Sequence, residues 1–448
     1  LLGALERVVA HHTSVRVVVV PGVLGAFEGV ADSAVVSIDA LDGLLGANGM
    51  EGVEVFDLDL RVGSTGLLDL SGHRQLVNDY DVEIATGSGV LDPTVVGIRT
   101  GTRVAARYVP RGAGGRLSLV LDRSELLGEP ELKELSMFLF VANSVEDGGG
   151  QRIPVVAEVN HQELLTRGLA IDHDVRVGEV LLARLGWNLG GESGEELIGV
   201  TVEHEPLGAI EVVPIGGRAM VLVDREAIEG SFAFAQRPNR ALLCSHASIR
   251  FGANLALTLV RAQPNLEFAL LPRATTSWGT LGNWLVAGVD SVDRAQRIAA
   301  EIEPLLRKRS TGARLRATTT DEGALTGLVE VPAPLDGQGF GFVARSIPRV
   351  FDMDVEVATI SLLGDPLVAD LETGIAIGMV PRLDGEARTV GVRADALQPI
   401  GAARTAKLPD VPGGFAEHLD FTSLRLDQRV PLGVPIGTPE LQLTIEWL

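Results

Sequence analysis

The amino-acid sequence predicts a mainly β fold with short helices, in which one module occurs twice. Short runs of alternating apolar and polar residues recur along most of the chain, as in half-buried strands. Turn-forming residues separate these runs, and the chain contains 53 glycines and 22 prolines. One stretch of sequence also appears twice, which indicates an internal duplication.

The duplicated stretch runs from Asp79 to Gly101 and again from Asp352 to Gly374. The two copies align without a gap, at the constant offset that separates Asp79 from Asp352. Chance does not give so many identities in one ungapped window. The identical pairs include Asp79/Asp352, Asp81/Asp354, Glu83/Glu356, Asp92/Asp365, Pro93/Pro366 and Gly101/Gly374.

The similarity continues beyond the two glycines. Each glycine is followed by an apolar run to a proline, Pro110 or Pro381, and the first run is two residues longer, which suits a bulge. Further along, residues 169–178 match residues 424–433 without a gap and end at Gly178 and Gly433. We therefore predict one module in residues 1–185, a small β-rich or α+β insert in 186–254, and a second module in 255–448.

The first module begins with a strand at residues 14–20 that is buried on both faces. A short amphipathic helix follows at 37–48, and then a strand at 53–60 with one polar face. In the strand after Asp79, alternation places Tyr80 and Val82 on one face and Asp81 and Glu83 on the other. The remaining expectations are a turn at Asp92-Pro93, a hairpin of 101–109 with 117–121, and a strand at 137–141.

Alternating runs continue through the insert and the second module. Residues 291–303 differ, because their apolar residues share one helical face and Pro304 ends the pattern. We predict a helix there. The predicted strands are 197–202, 210–213, 219–223, 255–260, 266–271 and 441–447.

Composition excludes some classes of function. A net charge of −21 argues against nucleic-acid binding, which needs clustered lysine and arginine. Cys244 is the single cysteine, so no intramolecular disulfide or cysteine zinc cluster can form. No apolar stretch approaches the roughly 18–20 residues of a transmembrane helix. The first residue is Leu1, which leaves open a removed signal peptide or a later start.

Few residues suggest catalysis or metal binding. Asp172-His173-Asp174 could supply ligands, but alternation separates the histidine from the carboxylates, so a solvated strand is the favoured interpretation. Asp81/Glu83 and Asp354/Glu356 lie two apart on one face, which is compatible with catalytic acids or a calcium site. Hydrogen-bonded structural carboxylates are favoured there. We predict no cofactor, no metal and no enzymatic activity.

The duplicated stretch resembles the C-terminal domain of the secretins, the ring-forming outer-membrane channels of type II and type III secretion systems and type IV pili. The resemblance is carried by Tyr80 to Ala85, Asp92-Pro93, Thr100-Gly101 and Pro110, with Val175 to Gly178 like the closing strand. In the second module it is carried by Asp354 to Ala358, Asp365-Pro366, Thr373-Gly374, Pro381 and Val430 to Gly433. The tandem arrangement and the scarcity of aromatic residues depart from that family.

The resemblance implies a homo-oligomeric ring in the outer membrane or periplasm, with strands shared in one β-barrel that acts as a pore for secretion. The partner is then the protein itself, with other envelope proteins as further partners and membrane contact through the barrel. Two alternatives stay open. One is a non-conducting assembly such as a stacked ring, cage or appendage, and the other is a β-rich enzyme or ligand-binding protein with a cleft between the modules.

Overall fold

A computed structural model gives the fold of the chain. Within the residues that it describes, no helix has the length and apolar character needed to cross a membrane. Those residues are 12–28, 35–37, 39, 43, 52–61, 65–85, 88–111, 114–142, 150–189, 191–204, 208, 210–224, 233–238, 255–260, 278–281, 284–305, 312–334, 339–358, 361–384, 387–407 and 415–447.

The fold is mainly β, as the sequence predicts, and its strands pair in an antiparallel manner. A single helix longer than one turn is described, α1 (Val292–Ile302), followed by a 3-10 turn at Glu303–Leu305. The strands are β1 (His12–Gly22), β2 (Val35–Ser37), β3 (Glu54–Arg61), β4 (Thr65–Ala85), β5 (Ser88–Arg111), β6 (Gly114–Ala142), β7 (Gly150–Arg176), β8 (Glu179–Leu189), β9 (Glu192–His204), β10 (Ile210–Ile215), β11 (Arg218–Asp224), β12 (Ala233–Pro238), β13 (Leu255–Val260), β14 (Trp278–Leu281), β15 (Trp284–Val289), β16 (Gly312–Asp321), β17 (Ala324–Pro334), β18 (Gly339–Ala358), β19 (Ser361–Asp384), β20 (Ala387–Lys407), β21 (Phe415–Pro431), β22 (Ile436–Thr438) and β23 (Leu441–Trp447).

Two large sheets enclose the main core. The first has nine strands in the order β22-β23-β16-β17-β8-β9-β1-β3, with β2 attached to β8. The second has eight strands in the order β21-β20-β19-β18-β7-β6-β5-β4. Apolar side chains from both sheets form one cluster that includes Val17, Leu119, Leu185, Val329 and Ile377. The alternation in each strand directs one set of side chains into this layer.

The strand order repeats within both sheets. We call β1 and β3–β9 the first half and β16–β23 the second half. In each sheet, four strands of the first half stand beside four strands of the second half in the same order. The pairing register also repeats, since Leu70 opposite Thr102 corresponds to Val343 opposite Ile375 at the offset of the duplicated stretch. The two halves therefore have the same strand order and, at these residues, the same pairing register.

Irregularities in the strands repeat at the same offset. The β4–β5 pair shifts register between Val77 and Asp79, and the β18–β19 pair shifts between Val350 and Asp352. A second shift occurs between Leu127 and Glu131 in β6 and between Ile400 and Arg404 in β20. Each bulge bends a long strand, so the ends of β4–β7, β18 and β19 pack together around Val82, Leu139 and Leu363.

The predicted helix is confirmed, and it packs against a smaller third sheet. Ser291 Oγ accepts a hydrogen bond from Arg294 N at 3.3 Å and caps the N-terminus of α1. Ala295, Ile298 and Ile302 of the helix pack against the sheet β10-β11-β15-β14. Strand pairing therefore crosses the predicted limits at residues 185 and 254, because β8 spans the first and β11 pairs with β15 beyond the second.

Several local predictions hold. β1 lies between β9 and β3 and is buried on both faces apart from Arg16 and its ends. β3 alternates exposed and buried residues. The predicted helix at 37–48 lies largely outside the described residues, as does the predicted strand at 266–271.

The predicted turn at Asp92-Pro93 is wrong, and the equivalent Asp365-Pro366 forms no turn either. Both dipeptides lie inside long strands, with Pro93 opposite Tyr80 and Pro366 opposite Met353. Around Pro93 the strand β5 pairs with β4 on one side, and its pairing with β6 begins only at Gly101. A proline is tolerated there because the missing N–H is not needed for a second ladder.

Candidate assembly edges

The duplicated aspartates mark the places where strands bend. Asp79 directly follows the bulge in β4, and its Oδ1 accepts a hydrogen bond from Tyr80 N at 2.9 Å. Its Oδ2 accepts from Val368 N in β19 at 3.4 Å, which joins the two halves. Asp352 follows the equivalent bulge in β18. Asp79 thus connects the bulge in β4 to β19.

The other carboxylates of the motif lie on the surface or at strand pairs. Asp81 and Glu83 are exposed, as alternation predicts, while Val82 is buried. Asp81 lies opposite the exposed Asp92, and Asp354 lies opposite the half-buried Asp365; Glu356 lies opposite Leu363. Within the part of the chain that the structure describes, no group of three His, Cys, Asp or Glu side chains could hold a metal ion.

The two central glycines of the motif have a clear steric role. Gly101 has φ +112° and Gly374 has φ +132°, a region that residues with a side chain rarely adopt. A Cβ on either residue would meet the carbonyl oxygen of Leu70 or Val343, at 2.5 and 2.1 Å. The Thr-Gly pair therefore lets neighbouring strands approach closely at the same point in each half.

The remaining motif residues occupy turns and strand ends. Gly178 and Gly433 have φ of +84° and +70° and make the turns after β7 and β21. Pro110 lies opposite Gly115, and the buried Pro381 lies opposite Val390. The β5–β6 and β19–β20 hairpins have equal length, so the two prolines are not at equivalent positions and no bulge separates them.

The Asp172-His173-Asp174 sequence is buried, so its interpretation as a solvated strand is wrong. Arg116 binds Asp172 through two hydrogen bonds of 2.7 and 2.8 Å, and lies 3.7 Å from Asp174. His173 Nδ1 lies 2.7 Å from the Asp174 carbonyl oxygen, and burial lowers the pKa of this histidine. Alternation correctly separates the histidine from the carboxylates, but it gives no information on burial by the neighbouring strand.

The two halves meet at the strand pairs β8–β17 and β7–β18, which we call the seam, and at a short pairing of β6 with β19. In the first sheet the seam buries a network of charges around Glu330. Glu330 lies 2.8 Å from Arg316 Nε and 3.3 Å from Arg184 Nη1 and also pairs with Arg314. Burial and the nearby Arg184 lower the pKa of Arg316.

Glu195 completes this network from the first half. Its Oε1 accepts a hydrogen bond from Arg184 Nε at 2.6 Å, and its Oε2 accepts one from Gly25 N at 2.8 Å. Arg184 thus links a carboxylate of each half. Because each buried charge has a close partner of opposite sign, the seam tolerates charges that would be costly alone.

In the second sheet the seam depends on Arg345. Its Nε donates to Glu163 Oε2 at 2.9 Å, and its Nη1 donates to the Leu189 carbonyl oxygen at 2.6 Å. One side chain of β18 therefore contacts both β7 and β8 of the first half. None of these residues was predicted from the sequence. The sequence does show Arg and Glu residues within alternating apolar strands, but this pattern does not indicate which residues they pair with.

A polar cleft of about 420 Å³ lies beside the core of the first half. Arg123 pairs with Glu54 and Glu196, and Arg167 pairs with Glu196 at 2.7 Å and lies over the Trp187 ring at 5.0 Å. These arginines are already neutralised by carboxylates. The cleft therefore has no evident excess charge for binding a ligand.

The outer strands differ from the seam. Among the described strands, β3 and β4 end one side of the two sheets, and β22 and β21 end the other. We call the first pair the leading edge and the second pair the trailing edge. Neither sheet closes on itself within the described residues.

No family model, curated protein or solved structure matches this chain.

Proposed function

We propose that the protein is the subunit of a homo-oligomeric ring, and that the ring acts as a pore or channel in a bacterial cell envelope. Self-association is the part of this proposal that the fold supports best. The pore and the envelope location follow from the resemblance to secretins, and both need a separate test.

The observation that carries the proposal is the pair of open edges. β4 is 21 residues long and β21 is 17 residues long, and each pairs with one neighbouring strand among the described residues. The unpaired N–H and C=O groups of a long edge attract other strands, so proteins usually cover such edges. Both sheets, as far as their strands are described, are open on both sides. Further copies of the chain can cover all of these edges by continuing the sheets.

Imaging of the particle tests the proposal directly. Negative-stain images of the purified protein, extracted in mild detergent, should show closed rings with a central opening. The same preparation in planar lipid bilayers should then give ion conductance that the buffer alone does not. Monomers in the images would contradict the proposal as a whole. Rings without conductance would contradict the proposed pore but would still support the proposed assembly.

A second candidate is a non-conducting assembly such as a stacked ring or cage. The surface of β21 favours it, since this strand exposes His418, Asp420, Arg425, Asp427 and Arg429. Charged side chains that face lipid destabilise membrane barrels. Liposome flotation separates the two candidates, because a pore-forming ring should float with the lipid and an aqueous assembly should remain at the bottom of the gradient.

A further inference from the structure

Apolar residues on the leading edge are exposed, whereas their counterparts in the second half are buried at the seam. Leu67 is 64% exposed, and its counterpart Phe340 is 2% exposed. Leu70 is 56% exposed, and its counterpart Val343 is 0% exposed. Val55 in β3 is 53% exposed, while its counterpart Leu328 in β17 is 5% exposed. All three pairs have the offset of the duplicated stretch (340 − 67 = 343 − 70 = 328 − 55 = 352 − 79).

The strands of the first half account for this difference. β18 is covered because it pairs with β7, with Phe340 opposite Ala170 and Val343 opposite Arg167. β17 pairs with β8 and places Leu328 opposite Gly186. The equivalent strands β4 and β3 have no such neighbour among the described strands. The leading edge is thus the surface that β17 and β18 would present if the first half were removed.

The trailing edge carries the matching strands. β21 occupies the place in the second half that β7 has in the first, as the match of residues 424–433 to 169–178 indicates. β22 likewise follows the turn at Gly433 as β8 follows the turn at Gly178. Phe421 on β21 is exposed. Each edge therefore presents one side of the seam.

The charged residues of the seam show the same relation. Arg16 in β1 lies opposite Asp57 in β3, and Arg316 in β16 lies opposite Glu330 in β17. Arg16 Nε lies 2.8 Å from Asp57 Oδ1, and both side chains are about half exposed. The second pair is drawn into the buried network by Arg184 of the first half. Among the described residues, the exposed pair of Arg16 and Asp57 has no arginine from a neighbouring strand in the place that Arg184 takes beside Glu330.

We propose that the leading edge of one copy docks on the trailing edge of a second copy, with β4 pairing with β21 and β3 pairing with β22. The contact is head-to-tail and reproduces the seam between chains. It rests on the proposed self-association and names the surfaces that carry it. Repetition of a head-to-tail contact gives a ring where the rotation closes and a filament where it does not.

Charge substitutions on the leading edge test this contact. Leu67→Asp and Leu70→Asp would each place a charge in the buried interface, so the concentration for half-dissociation should rise at least about tenfold. Val95→Asp is the matched control, because Val95 is also an exposed apolar residue of the first half but lies on β5. Sedimentation velocity gives the masses, and circular dichroism verifies that each variant is folded.

The outcomes separate this contact from the proposed function. Dissociation of both edge variants with an intact control supports the head-to-tail contact, whether or not the particles conduct ions. Edge variants that assemble like the wild type overturn the contact and leave a ring built in another way. A wild-type chain that stays monomeric overturns both proposals.

Cross-linking provides a test that does not depend on destabilising a variant. In a Cys244→Ser background, Ser71→Cys on β4 is combined with either Phe421→Cys or Ser423→Cys on β21. Paired antiparallel strands bring opposite residues within disulfide distance. Oxidation should give a ladder of covalent multimers on a non-reducing gel. Each single-cysteine variant can form at most dimers, and the absence of a ladder from both pairs would overturn the contact.

Discussion

Removal of the negative charge at Glu330 should destabilise the chain far more than the same change at Asp57. Glu330 is fully buried and contacts the guanidinium groups of Arg184, Arg314 and Arg316. Glu330→Gln keeps the size of the side chain but leaves an excess of buried positive charge. Loss of one partner of a buried ion pair costs about 3–5 kcal/mol.

Asp57→Asn is the matched control for this prediction. Asp57 is the counterpart of Glu330 at the offset of the duplicated stretch (330 − 57 = 352 − 79). It pairs with Arg16, the counterpart of Arg316, but its side chain is 51% exposed. An exposed ion pair contributes about 0–1 kcal/mol. The same chemical change at equivalent positions should therefore differ in cost by at least about 2 kcal/mol.

Urea unfolding followed by tryptophan fluorescence measures the difference. The measurement is made at a concentration where sedimentation shows single chains, because association would bury Asp57 and change its cost. Each variant gives a free energy of unfolding from its midpoint and slope. Equal losses of unfolding free energy for Glu330→Gln and Asp57→Asn would refute the reasoning. They would show that burial at the seam does not determine how much the Glu330 charge contributes to stability.

Three other substitutions test individual features. Burial lowers the pKa of His173 from 6.5, so the unfolded chain binds a proton first, and stability should fall as the pH drops below 6.5. In urea titrations at several pH values, His173→Gln should reduce the loss of unfolding free energy by up to about 1.4 kcal/mol per pH unit. An unchanged dependence of stability on pH would show that His173 is not the group responsible. Gly101→Ala should lower the free energy of unfolding by at least about 1–2 kcal/mol, because Gly101 has a positive φ. Gly97→Ala should cost less, because a Cβ on Gly97 would meet no atom within 4 Å. Equal shifts in melting temperature for the two variants would argue against the steric role of Gly101. Asp79→Ala should lower the free energy of unfolding by about 1–3 kcal/mol, because two hydrogen bonds to backbone N–H groups are lost. Asp81→Ala should lower it by less than about 0.5 kcal/mol, because Asp81 is exposed. A larger loss for Asp81→Ala than for Asp79→Ala in chemical denaturation would contradict this prediction.

The sequence was informative wherever structure depends on neighbours along the chain. Alternation correctly assigned the faces of the strand at Val82 and the buried strand at residues 14–20, because the period of two is a property of the strand itself. The helix at 291–303 followed from its apolar face and from the proline at position 304. The repeated glycines were found because identity at a fixed offset needs no knowledge of the fold.

Features that depend on distant strands could not be predicted. Asp92-Pro93 was expected to form a turn, since local rules favour turns there, but pairing with residues 80 and 81 keeps it extended. The burial of His173 depends on packing against other strands, including β6, where it lies opposite Leu117. The seam joins β8 to β17, and nothing in either strand alone identifies the other. The candidate edges are therefore visible only after the strand order is known.

The charges of the seam also bear on the order of events during synthesis. β3 leaves the ribosome before β8, and β17 follows much later, so the counterpart of the final partner of β8 is synthesised first. Pairing with β3 would place Arg184 near Asp57, whose side chain is one methylene shorter than that of Glu330, and near Ser14 in the position of Arg314. The charges around Glu330 thus distinguish β17 from β3 as a partner for β8.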